Sequence, residues 1–279
     1  MAEFVIFHQA KGVATITLMD IGRLNAFNKV MCDELLAELE RVAADRSTRV
    51  LVIAGAGHAF CAGSDLEAVA AAKRRGARFD ELRPLVGRGH AIVTRAAGLP
   101  FPTIAAINGP AIGAGLALAL ACDVRLASDQ AVFGVNSPHL GLHPEWGVTY
   151  FLPRVVGLSK SLELCWTAET VDAAEALRIG LVTRVFPEAA FAAEVRLFTA
   201  RVAAAPQTCA RLAKRALGRS SQRSLAQCLD AELEAQGRCW ASDDTAEGLA
   251  AFIEKREPVF TAAAGEADEP PPAALRHFE

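Results

Sequence analysis

The sequence lacks an excess of charge of either sign. Its 29 basic and 32 acidic side chains leave a formal net charge of -3 over 279 residues. They are interspersed, so no uniform basic field is available to nucleic acid or anionic lipid, and an anionic ligand must be met locally. The seven cysteines, Cys32, Cys61, Cys122, Cys165, Cys209, Cys228 and Cys239, include no CxxC pair, and no histidine stands at metal-ligand spacing. No metal site is expected, and the cysteines read as reduced, mostly buried cytosolic thiols. The start, MAEFVIFHQAKG, has no basic segment followed by an apolar one, so no secretory signal is expected. The early Glu3, with no Arg-rich face after it, argues against a transit peptide, and the expected location is cytoplasmic.

Charge is missing altogether from Ala96 to Cys122, a run long enough to cross a bilayer. Its punctuation argues for buried core instead. Pro100, Pro102, Asn108, Gly109 and Pro110 divide it into a short strand, a turn and a helix. No internal repeat is visible.

With 52% apolar residues, the chain can bury one large core plus an accessory segment. Phe4 to His8 and Gly12 to Leu18 read as antiparallel strands around a Lys11-Gly12 turn. Asn28 can cap a helix in which Met31, Leu35, Leu36, Leu39 and Val42 recur at helical spacing up to the stop at Asp45 and Arg46. Strands are expected at Val50 to Ala54, Thr103 to Ile107, Val124 to Leu126 and Ala131 to Val135, alternating with helices. That alternation predicts an α/β fold with mostly parallel sheet, which makes the loops after the strands the natural place for chemistry. Beyond about Phe191 the pattern is helical only: Phe191 to Ala204, Thr208 to Gly218, Ser224 to Trp240 and Asp243 to Glu257. The division expected is a core over 1–190, a helical region over 191–263 and a Pro-rich, acidic, disordered tail over 264–279.

Two loops carry chemical information. FCAGSDL, Phe60 to Leu66, follows a strand with small residues that let a ligand lie against the backbone; it also reads as a tight turn with Asp65 as a helix cap. In INGPAIGAGLALALACDVRLAS, Ile107 to Ser128, the residues Gly113, Ala114 and Gly115 open a helix straight after a turn. Amides at a helix N-terminus are unpaired and carry partial positive charge, which suits a developing oxyanion.

In this order and separation, the loops resemble the paired signatures of the crotonase (enoyl-CoA hydratase/isomerase) superfamily. The resemblance runs from Phe4 to about Thr261. It takes in GVATITL with RLNAF, FCAGSDL, INGPAIGAGLALALACD, GLHPEWGVTYFLPRVVG, AAEALRIGLVTRVFPE and EGLAAFIEKREPVF. It implies a crotonase-type β/α spiral core with a C-terminal helical oligomerisation region, assembled as a homotrimer or a dimer of trimers. The substrate implied is an acyl-CoA thioester. Coenzyme A enters as part of that substrate, with no tightly bound cofactor.

Carried over position by position, the resemblance makes the backbone amides of Ser64 and Ala114 the oxyanion hole. Ala114 is a departure, because Gly is commoner there. Arg23 and Leu24 are placed beside the pantetheine and phosphates, and Ala62, Asp65 and Leu66 around the adenine. Lys255 and Arg256 fall in a C-terminal segment where basic residues could reach the nucleotide phosphates, including those bound to a neighbouring subunit; they also read as a solvated helix end.

The same resemblance bears on the reaction. Hydration needs a general base and a general acid, and this chain has Ala117 and Ser137 where the family's hydratases keep those carboxylates. The acid present is Glu145 in GLHPEWG, the position at which isomerase branches place one Asp or Glu. Glu145 is the only carboxylate between Asp129 and Glu163, among Leu142, Pro144 and Trp146, where an apolar pocket would raise its pKa. His90 matches a water-activating His of the aromatic dehalogenase branch, although here the acid is Glu and not Asp. His139 and His143 either line the pocket or bond backbone. The expectation is an acyl-CoA isomerase with Glu145 as proton shuttle. The alternatives are a hydratase-, dehalogenase- or hydrolase-like member, or a silent acyl-CoA binder. RNA binding is disfavoured, because the stretch corresponding to an RNA-binding relative's Lys-rich helix, DELLAELERVAAD, is acidic.

Overall fold

A computed structural model describes residues 4–261; the tail expected at 264–279 lies outside them. The chain opens with a hairpin of β1 (Val5–Ala10) and β2 (Val13–Leu18). Lys11 and Gly12 turn it with φ of 51° and 77°, the two left-handed residues a tight hairpin requires. Asn28 then accepts from Met31 N–H at 2.9 Å and starts α1 (Lys29–Ala44), whose Met31, Cys32, Leu35, Leu39 and Val42 are buried. Next come β3 (Val50–Gly55), α2 (Leu66–Arg74), α3 (Phe79–Ala97), β4 (Thr103–Ile107), β5 (Ala111–Ile112), α4 (Ala114–Ala121), β6 (Val124–Ser128) and β7 (Val132–Gly134).

The uncharged run from Ala96 to Cys122 is thus strand, turn and helix. All eight residues of α4 are buried, and no helix among the described residues is long and apolar enough to cross a membrane. After α5 (Val148–Val156), α6 (Leu158–Thr167), β8 (Val171–Asp172), α7 (Ala173–Arg178) and β9 (Arg184–Phe186), only helices follow. These are α8 (Glu188–Ala203), α9 (Gln207–Arg219), α10 (Leu225–Trp240) and α11 (Asp243–Glu254). The last is shorter than expected, because Lys255 turns left-handed and ends it.

The main sheet runs β1-β2-β3-β4-β6-β9, parallel in every pair after the hairpin, and a small sheet runs β5-β7-β8. Alternate residues of one strand feed two cores. Leu51, Ile53, Ala105 and Ile107 join α1, α3 and α4 in the larger core. Val50, Val52, Ile104 and Ala106 pack beneath Phe191 and Val195 of α8. Arg88 to Asp33 and Arg95 to Glu40 tie α3 to α1.

The C-terminal helices are fixed at the N-terminal ends of the parallel strands. Arg49, just before β3, donates to Ala203 O and Ala205 O and to Phe260 O. Lys214 of α9 meets Phe101 O and Asp123. The opposite ends of β3 and β4 are therefore left to the loops.

One buried polar residue organises those loops. Asn25 is fully buried at φ 57°. Its amide donates to Ala56 O, Ala59 O and Phe60 O at 2.9 to 3.3 Å, and its oxygen accepts from Asp20 N–H. Asn25→Ala would orphan these partners and leave a β-carbon in left-handed backbone. It is expected to destabilise by about 2–4 kcal/mol in denaturant unfolding.

Candidate active site

The loop after β3 is built so that one amide has nothing to bond. Phe27 lies alongside it as a parallel bridge, donating to Gly63 O at 2.7 Å and accepting from Asp65 N–H at 3.0 Å. The intervening Ser64 N–H points the other way and finds no acceptor among the described residues. Cys61 holds the turn from inside: its sulfur accepts from Gly63 N–H at 3.4 Å. Burial pushes that thiol up to about 12, so it stays protonated and packs as a small apolar group.

The second loop is stitched to the first. Phe60 and Cys61 donate to Pro110 O, and Ile112 donates back to Cys61 O. Gly113, at φ 54°, donates to Gly134 O and caps α4. Ala114 N–H is then the first amide of the helix and has no acceptor among the described residues. A β-carbon on Gly63 would sit 2.8 Å from Ile112 O and 3.6 Å from Ala114 N, and one on Gly115 would meet Cys61 O at 2.2 Å. Glycines at both points let the backbones close up, bringing Ser64 and Ala114 into one neighbourhood at the C-terminal ends of β3 and β4.

Arg23, Leu24, Ala62, Asp65 and Leu66 gather beside this pair. Ala62 N–H donates to Leu24 O at 2.9 Å, Arg23 meets Asp65 at 2.9 Å, and Asp65 also caps α2 through Ala68 N–H. Lys255 and Arg256 are not brought to this group within the protomer. They end α11, in the region anchored at the far ends of the strands, and Arg256 is gripped by both oxygens of Glu247 and by Glu254. His139 and His143 bond the carbonyls of Thr167 and Pro144.

Glu145 is half-buried, and burial raises its carboxyl above the ordinary 4.5 with no cation opposing the shift. It stands where the chain turns through Trp146 and Gly147 at φ 55° and 82°, closed by Val148 N–H to Glu145 O. A bulky residue in left-handed backbone is costly and persists only if packing demands it. Here the Trp146 ring is 1% exposed and lies 4.7 Å, centre to centre, from Phe27. It also fills a notch at Gly89 of α3, where a β-carbon would fall 1.9 Å from the indole. His90 is the next residue along and is half-buried. The two positions that the resemblance aligned with hydratase acids carry no carboxylate: Ala117 is fully buried in α4, and Ser137 opens a 3-10 turn.

Sequence reasoning missed Asn25, Phe27 and Gly89. The pair Gly87 and Gly89 in mid-helix was the available signal for the last, although only Gly89 meets the indole.

The notch makes a stability prediction. Gly89→Ala is expected to cost about 1–3 kcal/mol by overpacking against the indole. In a Trp146→Leu background the same change should cost little, so a four-protein denaturation cycle should show strong coupling.

The family model described as enoyl-CoA hydratase/isomerase matches residues 8–263. The chain is 35% identical over 268 residues to the 1,2-epoxyphenylacetyl-CoA isomerase of Escherichia coli K12, covering 94% of this chain and 99% of that one. It is 33% identical to the crotonyl-CoA hydratase of Syntrophomonas wolfei, covering 92% and 98%. The crystal structure of enoyl-CoA hydratase from Bacillus anthracis superposes with a TM-score of 0.86 at 33% identity, covering 92% and 99%. With this match of sequence and fold along nearly its whole length, the chain belongs to the enoyl-CoA hydratase/isomerase family, the crotonase superfamily.

Proposed function

We propose that the chain is an acyl-CoA isomerase in which Ser64 and Ala114 N–H groups hold the thioester oxygen and Glu145 moves the proton. The observation that carries this reading is a single desolvated carboxylate, on a loop clamped to the oxyanion loop through Phe27, with no second acid at Ala117 or Ser137. One such group suffices for a double-bond shift. The Glu145 carboxylate takes a proton from the carbon beside the thioester carbonyl, and the electron pair delocalises onto the oxygen as an enolate. The neutral acid then returns that proton to a more distant carbon. Each backbone donor to the oxyanion contributes about 2.7–4 kcal/mol to such a step. Burial suits the acid to both halves, because a raised pKa makes it a stronger base and still lets it reprotonate. The coenzyme A thioester is the substrate's own, and no bound cofactor is invoked. A hydratase would have to draw its second proton-transfer group from elsewhere.

Glu145→Gln is expected to lower turnover of a β,γ-enoyl-CoA or ring-epoxide thioester by about 10²–10⁴-fold while leaving coenzyme A affinity unchanged. Wild-type turnover in the variant would overturn the reading. The acid limb of the wild-type pH profile should lie above the range of an ordinary glutamate, because Glu145 must be ionised to act. Stability should move the opposite way. A carboxylate whose folded pKa is raised binds more protons folded than unfolded, so its contribution is fully present below 4.5 and is lost as pH rises through the folded value. Glu145→Gln should therefore be at least as stable as wild type at neutral pH, with any gain vanishing in acid.

The expected trimer or dimer of trimers is part of the same proposal. Along α10, Leu225, Leu229, Leu233 and Trp240 recur on one side and are 53–76% exposed, and Phe252 and Ile253 of α11 are 84% and 78% exposed. Apolar stripes of this kind mark surfaces meant for burial, which supports 191–263 as the assembly region. Leu229→Glu with Leu233→Glu should shift sedimentation velocity from trimer or hexamer to a smaller particle. A monomeric wild type would refute the assembly.

A further inference from the structure

A cavity lies on the face of the main sheet covered by α8, in the gap between that helix and strands β2, β3 and β4. It measures about 430 Å³, within the range of small-molecule pockets. Val13, Val52, Ala106, Phe191 and Val195 give it an apolar wall. The gap exists because small residues face each other across it: Ala54 and Gly55 from the sheet, Ala192 and Ala200 from the helix.

Two features of the lining point to an occupant. Thr199 is 4% exposed, and its hydroxyl has no hydrogen-bond partner; the side-chain oxygen of Asn108, at the strand ends, is likewise buried and unpartnered. Leaving such groups unmet costs free energy that a ligand with polar atoms would recover. At the rim stands Arg196, exposed, with no carboxylate or other partner among the described residues, although its helix carries Glu188 and Glu194.

We propose that this cavity binds an amphipathic carboxylate, with its hydrocarbon body between α8 and the sheet and its charged head on Arg196. An apolar wall alone would take any hydrocarbon. A lone cation at the mouth selects for a single negative charge, since a guanidinium binds a carboxylate through paired donors. The buried hydroxyl and amide oxygen favour a ligand carrying a further polar group over a bare alkane.

The test is calorimetric titration of the purified full-length protein with decanoate, decanol and decyltrimethylammonium, each below its micelle concentration. Decanoate is expected to bind once per chain and about tenfold or more tighter than decanol, with no binding of the cation and no displacement by an acyl-CoA thioester. Arg196→Glu should remove the preference for decanoate. Ala200→Phe, which fills the gap, should abolish binding while thioester turnover stays at the wild-type level. Four outcomes would overturn the proposal: equal affinity for the three probes, displacement by the thioester, unchanged binding in Ala200→Phe, or a change in oligomeric state in either variant, which would make a second copy of the chain the occupant.

Discussion

The site depends on one indole held in one notch. Trp146 sits in left-handed backbone, a conformation a bulky side chain avoids by a kcal/mol or more, and burial of its ring against Gly89 and Phe27 offsets that cost. Phe27 is in turn the strand neighbour that spaces Gly63, Ser64 and Asp65. A single aromatic contact thus sets the position of the carboxylate loop relative to the loop with the free amide. The elements involved, α3, the 20–27 turn and the two glycine-rich loops, are far apart in sequence. Their agreement in space is a property of the packed core and not of any one segment.

This arrangement explains why a half-buried acid can persist without a counter-ion. Glu145 is desolvated, and no nearby cation lowers its pKa, so the fold tolerates it by letting it hold its proton more readily. On the proposed reading that is the required property, because the group must alternate between base and acid within one turnover. A second carboxylate at Ala117 would have to enter a helix whose eight residues are all buried among aliphatic neighbours. A charge there would be unpaired in the core, so the missing carboxylate at Ala117 and the packing of α4 come from the same choice of small apolar residues.

Much of this was legible in the sequence, and the parts that were not share a cause. The hairpin, the Asn28 cap, β4 with its limits and the glycine opening of α4 all follow from local rules: two left-handed residues in a turn, a short polar side chain before an apolar period, a continuous apolar run. Asp65 proved to be a helix cap, as one of its two readings had it, and it also pairs with Arg23. Local rules could not supply Asn25, which bonds three carbonyls some thirty residues away, or the pairing of Gly89 with Trp146, separated by four strands and a helix. They also misjudged burial for some cysteines: Cys32, Cys61 and Cys122 are buried, but Cys209 is exposed, on a helix whose packing is set by tertiary contacts.

The sheet divides its two ends between different tasks, and this limits where charge for a nucleotide can come from. At the C-terminal ends of β3 and β4 lie the unpaired amides, with Arg23 and Asp65 beside them. At the N-terminal ends Arg49 and Lys214 pin the C-terminal helices to the core. Lys255 and Arg256 belong to that second end, and Arg256 is already neutralised by Glu247 and Glu254. Within one protomer Arg23 stands beside the unpaired amides of the proposed thioester site, paired with Asp65. Its ion pair with Asp65 engages one of five guanidinium donors, which leaves the others to face an anion while Asp65 fixes the side chain's direction. If Lys255 contributes to the same nucleotide, it must do so from another copy, which would make assembly through the helical region and recognition of coenzyme A two aspects of a single design.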